Sequence, residues 1–130
     1  MRKELFDSNI ILKLTFDFSL TIIEYCEELE VQKKFIIARQ LLKSGTSIGA
    51  NSMEAQNAES TADFIHKFKI AAKEADETQY WLMLCDHSKS YPNCQHLFKR
   101  LEEIQKVLSS ILGTARRRRP LSFLLSYFIF

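Results

Sequence analysis

The side chains able to hold a metal or to act as nucleophiles are few, and their spacing argues against catalysis. Cys26, Cys85 and Cys94 are an odd number with no CxxC pair, so neither a disulfide framework nor a zinc clasp is indicated. His66 ends a single Asp63-Phe64-Ile65-His66 run, whereas a di-metal site inside a helical bundle needs paired Glu-x-x-His motifs on two helices. His87 and His96 have no acidic residue three positions before them. No Gly-rich phosphate loop, GxSxG elbow or HExxH motif occurs. No enzymatic activity, no metal and no cofactor are expected.

The chemistry that the sequence does pattern is that of an interface. Gln40, Ser47, Asn51 and Glu54 form a polar stripe of mostly short side chains. Further on, Lys67, Ile70, Glu74, Glu77, Trp81 and Leu84 follow at spacings of three and four, which places them on one helix face. The stripe mixes charge with apolar groups around the one tryptophan of the chain, the composition that protein interfaces favour. It is read as a self-association surface, against the plainer possibility that Trp81 and Leu84 only extend the core. Gly45 and Gly49, four apart, remove side-chain bulk and permit close backbone approach at about 1 kcal/mol each in helix propensity. Lys73 and Glu77 have the spacing of an i,i+4 ion pair.

Four amphipathic helices must position these groups. The first spans about residues 9–28, with Ile11, Leu14, Phe18, Ile22, Tyr25 and Leu29 along one stripe; the second spans about 32–57. The third opens at Ser60, with Asp63 at capping-box spacing, and carries the seam Phe64, Phe68, Ala71, Ala75, Thr78, Leu82 and Cys85. The fourth follows the break at Tyr91-Pro92-Asn93, lines up Leu97, Leu101, Ile104, Leu108 and Ile111, and is expected to stop at Gly113. Similar lengths and short links predict an all-α fold, an antiparallel up-down-up-down four-helix bundle over residues 1–115. Residues 116–130 form an extension rich in arginine and then in apolar residues.

Composition agrees with one domain. With 46% apolar residues and only 3 Gly and 2 Pro, the chain can bury a core and has few residues for tight turns, which disfavours an all-β fold. The net charge of +2 hides a split: without Arg116, Arg117, Arg118 and Arg119, 14 basic residues face 16 acidic ones. Unpaired cysteines and the absence of a secretion-type leader point to a cytoplasmic location. The apolar-rich stretch 121–130, ten residues long, falls well short of the roughly 20 needed to span a bilayer.

Two blocks, QLLKSGTSIGANSMEAQNAES (Gln40 to Ser60) and ADFIHKFKIAAKEADETQYWL (Ala62 to Leu82), resemble those of the bacterial four-helix-bundle family of 23S rRNA intervening-sequence proteins. Ser47, Ile48, Ala50, Asn51 and Glu54 match its Ser-Ile-x-Ala-Asn-x-x-Glu pattern, and Phe64, Lys69, Glu74, Glu77 and Trp81 match its third-helix pattern. The resemblance runs from about Phe16 to Ala115 and leaves Arg117 to Phe130 outside it. It implies a homo-oligomer, a pentameric ring, with no established catalytic activity. A related group of accessory proteins to diversity-generating retroelements binds nucleic acid and a reverse transcriptase, so the resemblance also implies a nucleic-acid-binding or scaffold role. Gly45, Ser47, Gly49, Asn51, Glu54, Glu74, Glu77 and Trp81 are then the oligomer and packing residues.

Candidate nucleic-acid contacts are Arg39 and Lys43 on the second helix, Lys67, Lys69 and Lys73 on the third, and Arg116 to Arg119. A single subunit offers few phosphate contacts, so useful affinity for RNA or DNA requires a ring that multiplies them. No recognition-helix module is visible, so sequence-specific readout is not expected. The alternative is a scaffold ring that binds a protein partner without nucleic acid. Membrane attachment through the extension is disfavoured, because one short apolar signal binds a bilayer only marginally.

Overall fold

The structure, a computed structural model, describes residues 8–117 and 119–127. Four long helices make the bundle: α1 (Ile10–Val31), α2 (Phe35–Ala55), α3 (Thr61–Asp86) and α4 (Gln95–Ala115), followed by a short α5 (Leu121–Tyr127). α2 packs against α1 and α3, and α4 closes the square against α3 and α1. α1 and α3 therefore occupy one diagonal and α2 and α4 the other. The fold is the expected all-α, antiparallel four-helix bundle.

Local chemistry sets the ends of the helices. Asn9 caps α1 by accepting from the Leu12 amide at 3.4 Å, and Ser60 caps α3 by accepting from the Asp63 amide at 3.1 Å. The Asp63 carboxylate returns to the Glu59 amide at 3.1 Å, a reciprocal contact one residue before the expected capping-box position. The second helix starts at Phe35, later than expected, because α1 runs on to Val31 and Lys33 takes the left-handed φ of 63° in the three-residue turn. Gly113 does not stop α4. It keeps a helical backbone, and the helix continues to Ala115, which is fully buried. α5 was not legible as a helix in the sequence.

The core follows the apolar stripes on three helices. All seven seam residues of α3 are buried, as are Leu97, Leu101, Ile104, Leu108 and Ile111 on α4. On α1 the expected stripe is buried except Leu14, which is half-buried, with Leu12, Thr15 and Cys26 added. α2 differs: its buried face is Ala38, Leu41, Ser44, Gly45, Ile48, Gly49, Ser52 and Ala55, mostly small residues, while Phe35 is half exposed. Small side chains let α2 lie close to both neighbours. An added Cβ at Gly45 would sit 2.9 Å from Ile22 Cγ2, and one at Gly49 would sit 3.2 Å from Thr15 Cβ. Both glycines therefore face α1 within the subunit.

Two buried hydroxyls are satisfied by their own helices. Ser52 donates to the Ile48 carbonyl at 2.8 Å and Thr15 to that of Ile11 at 2.7 Å. Among the described residues no buried side-chain nitrogen or oxygen lacks a partner. Tyr25, on α1, donates to the Pro92 carbonyl at 2.8 Å and so ties the α3–α4 link to the bundle.

Candidate interaction face of the second and third helices

Antiparallel packing of α2 on α3 aligns the two polar stripes along one side of the pair. At one end, Lys67 Nζ lies 3.1 Å from Glu54 Oε1, joining the helices across the seam. This half-open pair contributes little stability, about 0.2–1 kcal/mol, and acts more by fixing which side chains face each other. Asn51 donates to the Ser47 carbonyl at 2.9 Å, and Ser47 donates to that of Lys43 at 2.6 Å, so both fold down onto α2. Their compact polar surface leaves the face low and open.

Midway along the face, Glu74 is half-buried. Burial pushes its carboxyl above the ordinary 4.5 and the neighbouring Glu77 charge adds to this, while Lys43 across the seam opposes it. Glu77 Oε2 accepts from Trp81 Nε1 at 3.2 Å. The Lys73–Glu77 ion pair expected from spacing is not formed; the contact Glu77 makes is with the indole. Beyond Trp81 the face ends at Leu84, and Tyr80 and Met83 add exposed apolar surface on the outer side of α3. Tyr80 stacks edge-on against Trp81 with ring centroids 5.3 Å apart, and Tyr80, Met83 and Leu84 are 56%, 46% and 40% exposed. At the same end α2 presents Ile36, 83% exposed. Trp81 itself is half-buried against the core, so it joins the core to the surface.

The sequence-predicted residues thus divide into groups. Ser47, Asn51, Glu54, Glu74, Glu77 and Trp81 come together on the α2–α3 face, whereas Gly45 and Gly49 lie on the opposite side of α2, against α1. Of the basic candidates, Lys67 is engaged by Glu54; Arg39, Lys43, Lys69 and Lys73 are exposed along the outer sides of the two helices. Arg116, Arg117 and Arg119 are exposed at the far end of α4, and Arg118 lies outside the described residues.

A second apolar surface escaped the sequence reading. Phe16, Leu20 and Ile23 on α1 are 41%, 48% and 39% exposed and follow at i, i+4 and i+7. Phe16 also lines a groove between α1 and α2, together with Thr15, Ser19, Gly49, Ala50 and Met53. The signal was present as a second helical stripe on α1, merged there with the core stripe.

Cys26, Cys85 and Cys94 are buried, and burial pushes the Cys26 and Cys85 thiols up to about 12 and about 11, the opposite of an activated nucleophile. Among the described residues no group of three or more His, Cys, Asp or Glu side chains is placed to hold a metal, and no helix is long and apolar enough to cross a membrane.

Comparison with known proteins gives the chain its relatives. The family model described as 23S rRNA-intervening sequence protein matches residues 7–110. A solved structure, a protein with unknown function from the S23 ribosomal protein family of Bacteroides thetaiotaomicron VPI-5482, superposes with a TM-score of 0.75 at 40% identity, covering 78% of this chain and 97% of that one. A search of curated proteins finds no match. With four helices in register, motif blocks on α2 and α3, and a family match over most of its length, the chain belongs to the 23S rRNA-intervening sequence protein family.

Proposed function

We propose that the protein is a non-enzymatic, self-associating bundle whose assembled ring binds nucleic acid as an accessory or scaffold. The observation that carries the assembly is the presence of two separate apolar surfaces on one subunit. One comprises Phe16, Leu20 and Ile23 on α1, with Phe16 at the edge of the Gly49–Met53 groove; the other comprises Tyr80, Met83 and Leu84 on α3, at the end of the bundle where α2 exposes Ile36. They belong to diagonal helices, α1 and α3, so a single two-fold contact cannot cover both. A head-to-tail contact, in which the α1 surface of one copy meets the α3 surface of the next, covers both and closes into a ring when the rotation permits. The family resemblance favours five subunits.

Nucleic acid is the favoured partner because exposed Arg39, Lys43, Lys69 and Lys73 would be repeated around such a ring, and multiplied weak phosphate contacts give a steep, salt-dependent affinity. The family's naming after an rRNA intervening sequence is consistent with an RNA setting. A protein-binding scaffold is the second reading, favoured by the excess of acidic over basic residues outside the arginine run. Light scattering with simultaneous absorbance at two wavelengths tests both parts: a particle several subunits in mass that retains RNA or DNA at low salt supports the proposal. A monomer would remove the ring. An oligomer that retains no nucleic acid at low salt would leave the scaffold reading in its place.

A further inference from the structure

The described part of the extension after α4, residues 116–117 and 119–127, folds back on the bundle, and its placement assigns it a task. Ala115 at the end of α4 is fully buried, and nine residues later Leu124 of α5 is again only 1% exposed, with Leu121, Phe123 and Leu125 packed against the core. The arginine run lies between these two buried anchors. Its backbone is held further by the Arg116 amide on the Leu112 carbonyl at 3.0 Å, and by the Arg119 carbonyl, which accepts from Thr61 Oγ1 at 3.5 Å. The Arg119 guanidinium lies 5.1 Å from the centre of the Phe123 ring. Arg116, Arg117 and Arg119 are exposed, and none of the three ion pairs among the described residues involves them.

We infer that the fold-back of α5 presents these arginines as a preorganised phosphate-binding cluster at the α2–α3-turn end of the bundle, taking the phosphate backbone of nucleic acid. The assignment rests on the nucleic-acid reading above and names a contact region outside the 7–110 family match. Guanidinium groups suit it because their planar forks meet phosphate oxygens two at a time. Neighbouring cations with no acidic partner among the described residues repel one another, and an incoming polyanion relieves that repulsion. Anchoring at both ends lowers the entropy lost on binding, which a free arginine tail would have to supply. A lipid surface fits less well, since the apolar side of α5 is turned inward onto the bundle.

The test uses the full chain and a labelled oligouridylate of about 20 nucleotides, with binding followed by anisotropy at several salt concentrations. Replacing three contacting arginines (R116Q/R117Q/R119Q) should reduce the log–log salt slope by about 2, so that the variant loses about twentyfold less affinity than the parent over a fourfold rise in salt. Leu124→Ser, which keeps every charge, should weaken low-salt binding severalfold; Phe123→Ala, which removes the ring beneath Arg119, should do the same and serves if the first variant fails to fold. Binding of the parent with an unchanged slope in the triple variant would overturn the cluster while leaving the ring reading intact. Parent-like binding by folded Leu124→Ser and Phe123→Ala would overturn the preorganisation. Failure of the parent to bind the probe would overturn this assignment and the nucleic-acid reading together. Flotation with phosphatidylserine vesicles, lost in the triple variant, in place of oligouridylate binding would transfer the cluster to a lipid surface.

Discussion

Thr78 Oγ1 and Ser44 Oγ lie 3.0 Å apart at the centre of the α2–α3 seam, both with no solvent exposure. The Glu74 carbonyl is 2.7 Å from Thr78 Oγ1 and the Leu41 carbonyl is 3.4 Å from Ser44 Oγ. Thr78 donates its one proton to Ser44 Oγ or to the Glu74 carbonyl, and Ser44 donates to the Leu41 carbonyl or back to Thr78, so neither hydroxyl needs water. The pair fixes the register in which Lys67 meets Glu54 and Lys43 approaches Glu74. Thr78→Val keeps the volume but leaves Ser44 only a poorly placed carbonyl, so it should destabilise the fold by about 1–2 kcal/mol in urea unfolding. Adding Ser44→Ala to it should cost less than the sum of the single changes, because the second orphaned group has then been removed.

The three glycines separate by what surrounds them. At Gly45 a new Cβ meets Ile22, whose branched side chain is stiff in a helix and fully buried, at 2.9 Å. Gly45→Ala should therefore lose about 1 kcal/mol net, overpacking outweighing the gain in helix propensity. Gly113 has nothing within 4 Å of its added Cβ and a helical backbone, so Gly113→Ala should gain about 0.5–1 kcal/mol. Thermal melts of the two variants should move in opposite directions.

Alkaline pH should unfold the protein earlier than its surface charge would suggest. Burial raises the Cys26 and Cys85 thiols from 9.0 to about 12 and about 11, and it raises the Tyr25 phenol too, the nearby Cys85 and Cys94 sulfurs adding to that rise. In the unfolded chain these thiols ionise near their ordinary value, so there the unfolded state holds fewer protons than the folded one. Stability contributed by the protonated thiols is complete below about pH 9 and is lost as pH rises from there through the folded values. The urea midpoint should fall between about pH 8.5 and 10.5, and less so in Cys26→Ala after allowance for its lower baseline. At neutral pH none of the three thiols should react with a disulfide reagent until the protein is unfolded.

Sequence reading succeeded where burial is carried by large apolar side chains at helical spacing. The Phe64–Cys85 seam of α3 and the Leu97–Ile111 stripe of α4 are buried residue for residue. It was weakest on α2, where half of the buried face is Ser44, Gly45, Gly49 and Ser52. Hydrophobicity gives such residues no weight. Their hydroxyls become compatible with a core only once a carbonyl one turn back or a hydroxyl across the seam is in place, which is a fact of three-dimensional structure. The stripe from Lys67 to Leu84 is legible as a face, but its internal pairing is not: spacing points Glu77 toward Lys73, and in the structure it accepts from the indole of Trp81. α1 hid its outer surface for the opposite reason. Leu20 and Ile23 are apolar like their buried neighbours, and only the placement of α2 decides which stripe is covered.

Head-to-tail assembly makes a prediction that two-fold assembly does not. Leu20→Glu spoils the α1 surface and leaves the α3 surface intact; Leu84→Glu does the reverse. Both sites are substantially exposed, at 48% and 40%, so each variant should fold with a loss within about 1 kcal/mol. Placing a charge in a desolvated contact is unfavourable enough to abolish it, so each variant alone should sediment as a monomer. Mixed together, the two retain one unspoiled pair: the intact α3 surface of Leu20→Glu can meet the intact α1 surface of Leu84→Glu. The mixture should form a one-to-one heterodimer and stop there, because both remaining surfaces carry a glutamate. If each surface instead paired with its own kind, each variant alone would still dimerise through its unspoiled surface, and mixing would add nothing. Sedimentation velocity on the separate and mixed variants distinguishes the two patterns, and a heterodimer seen only in the mixture is the outcome that head-to-tail closure requires.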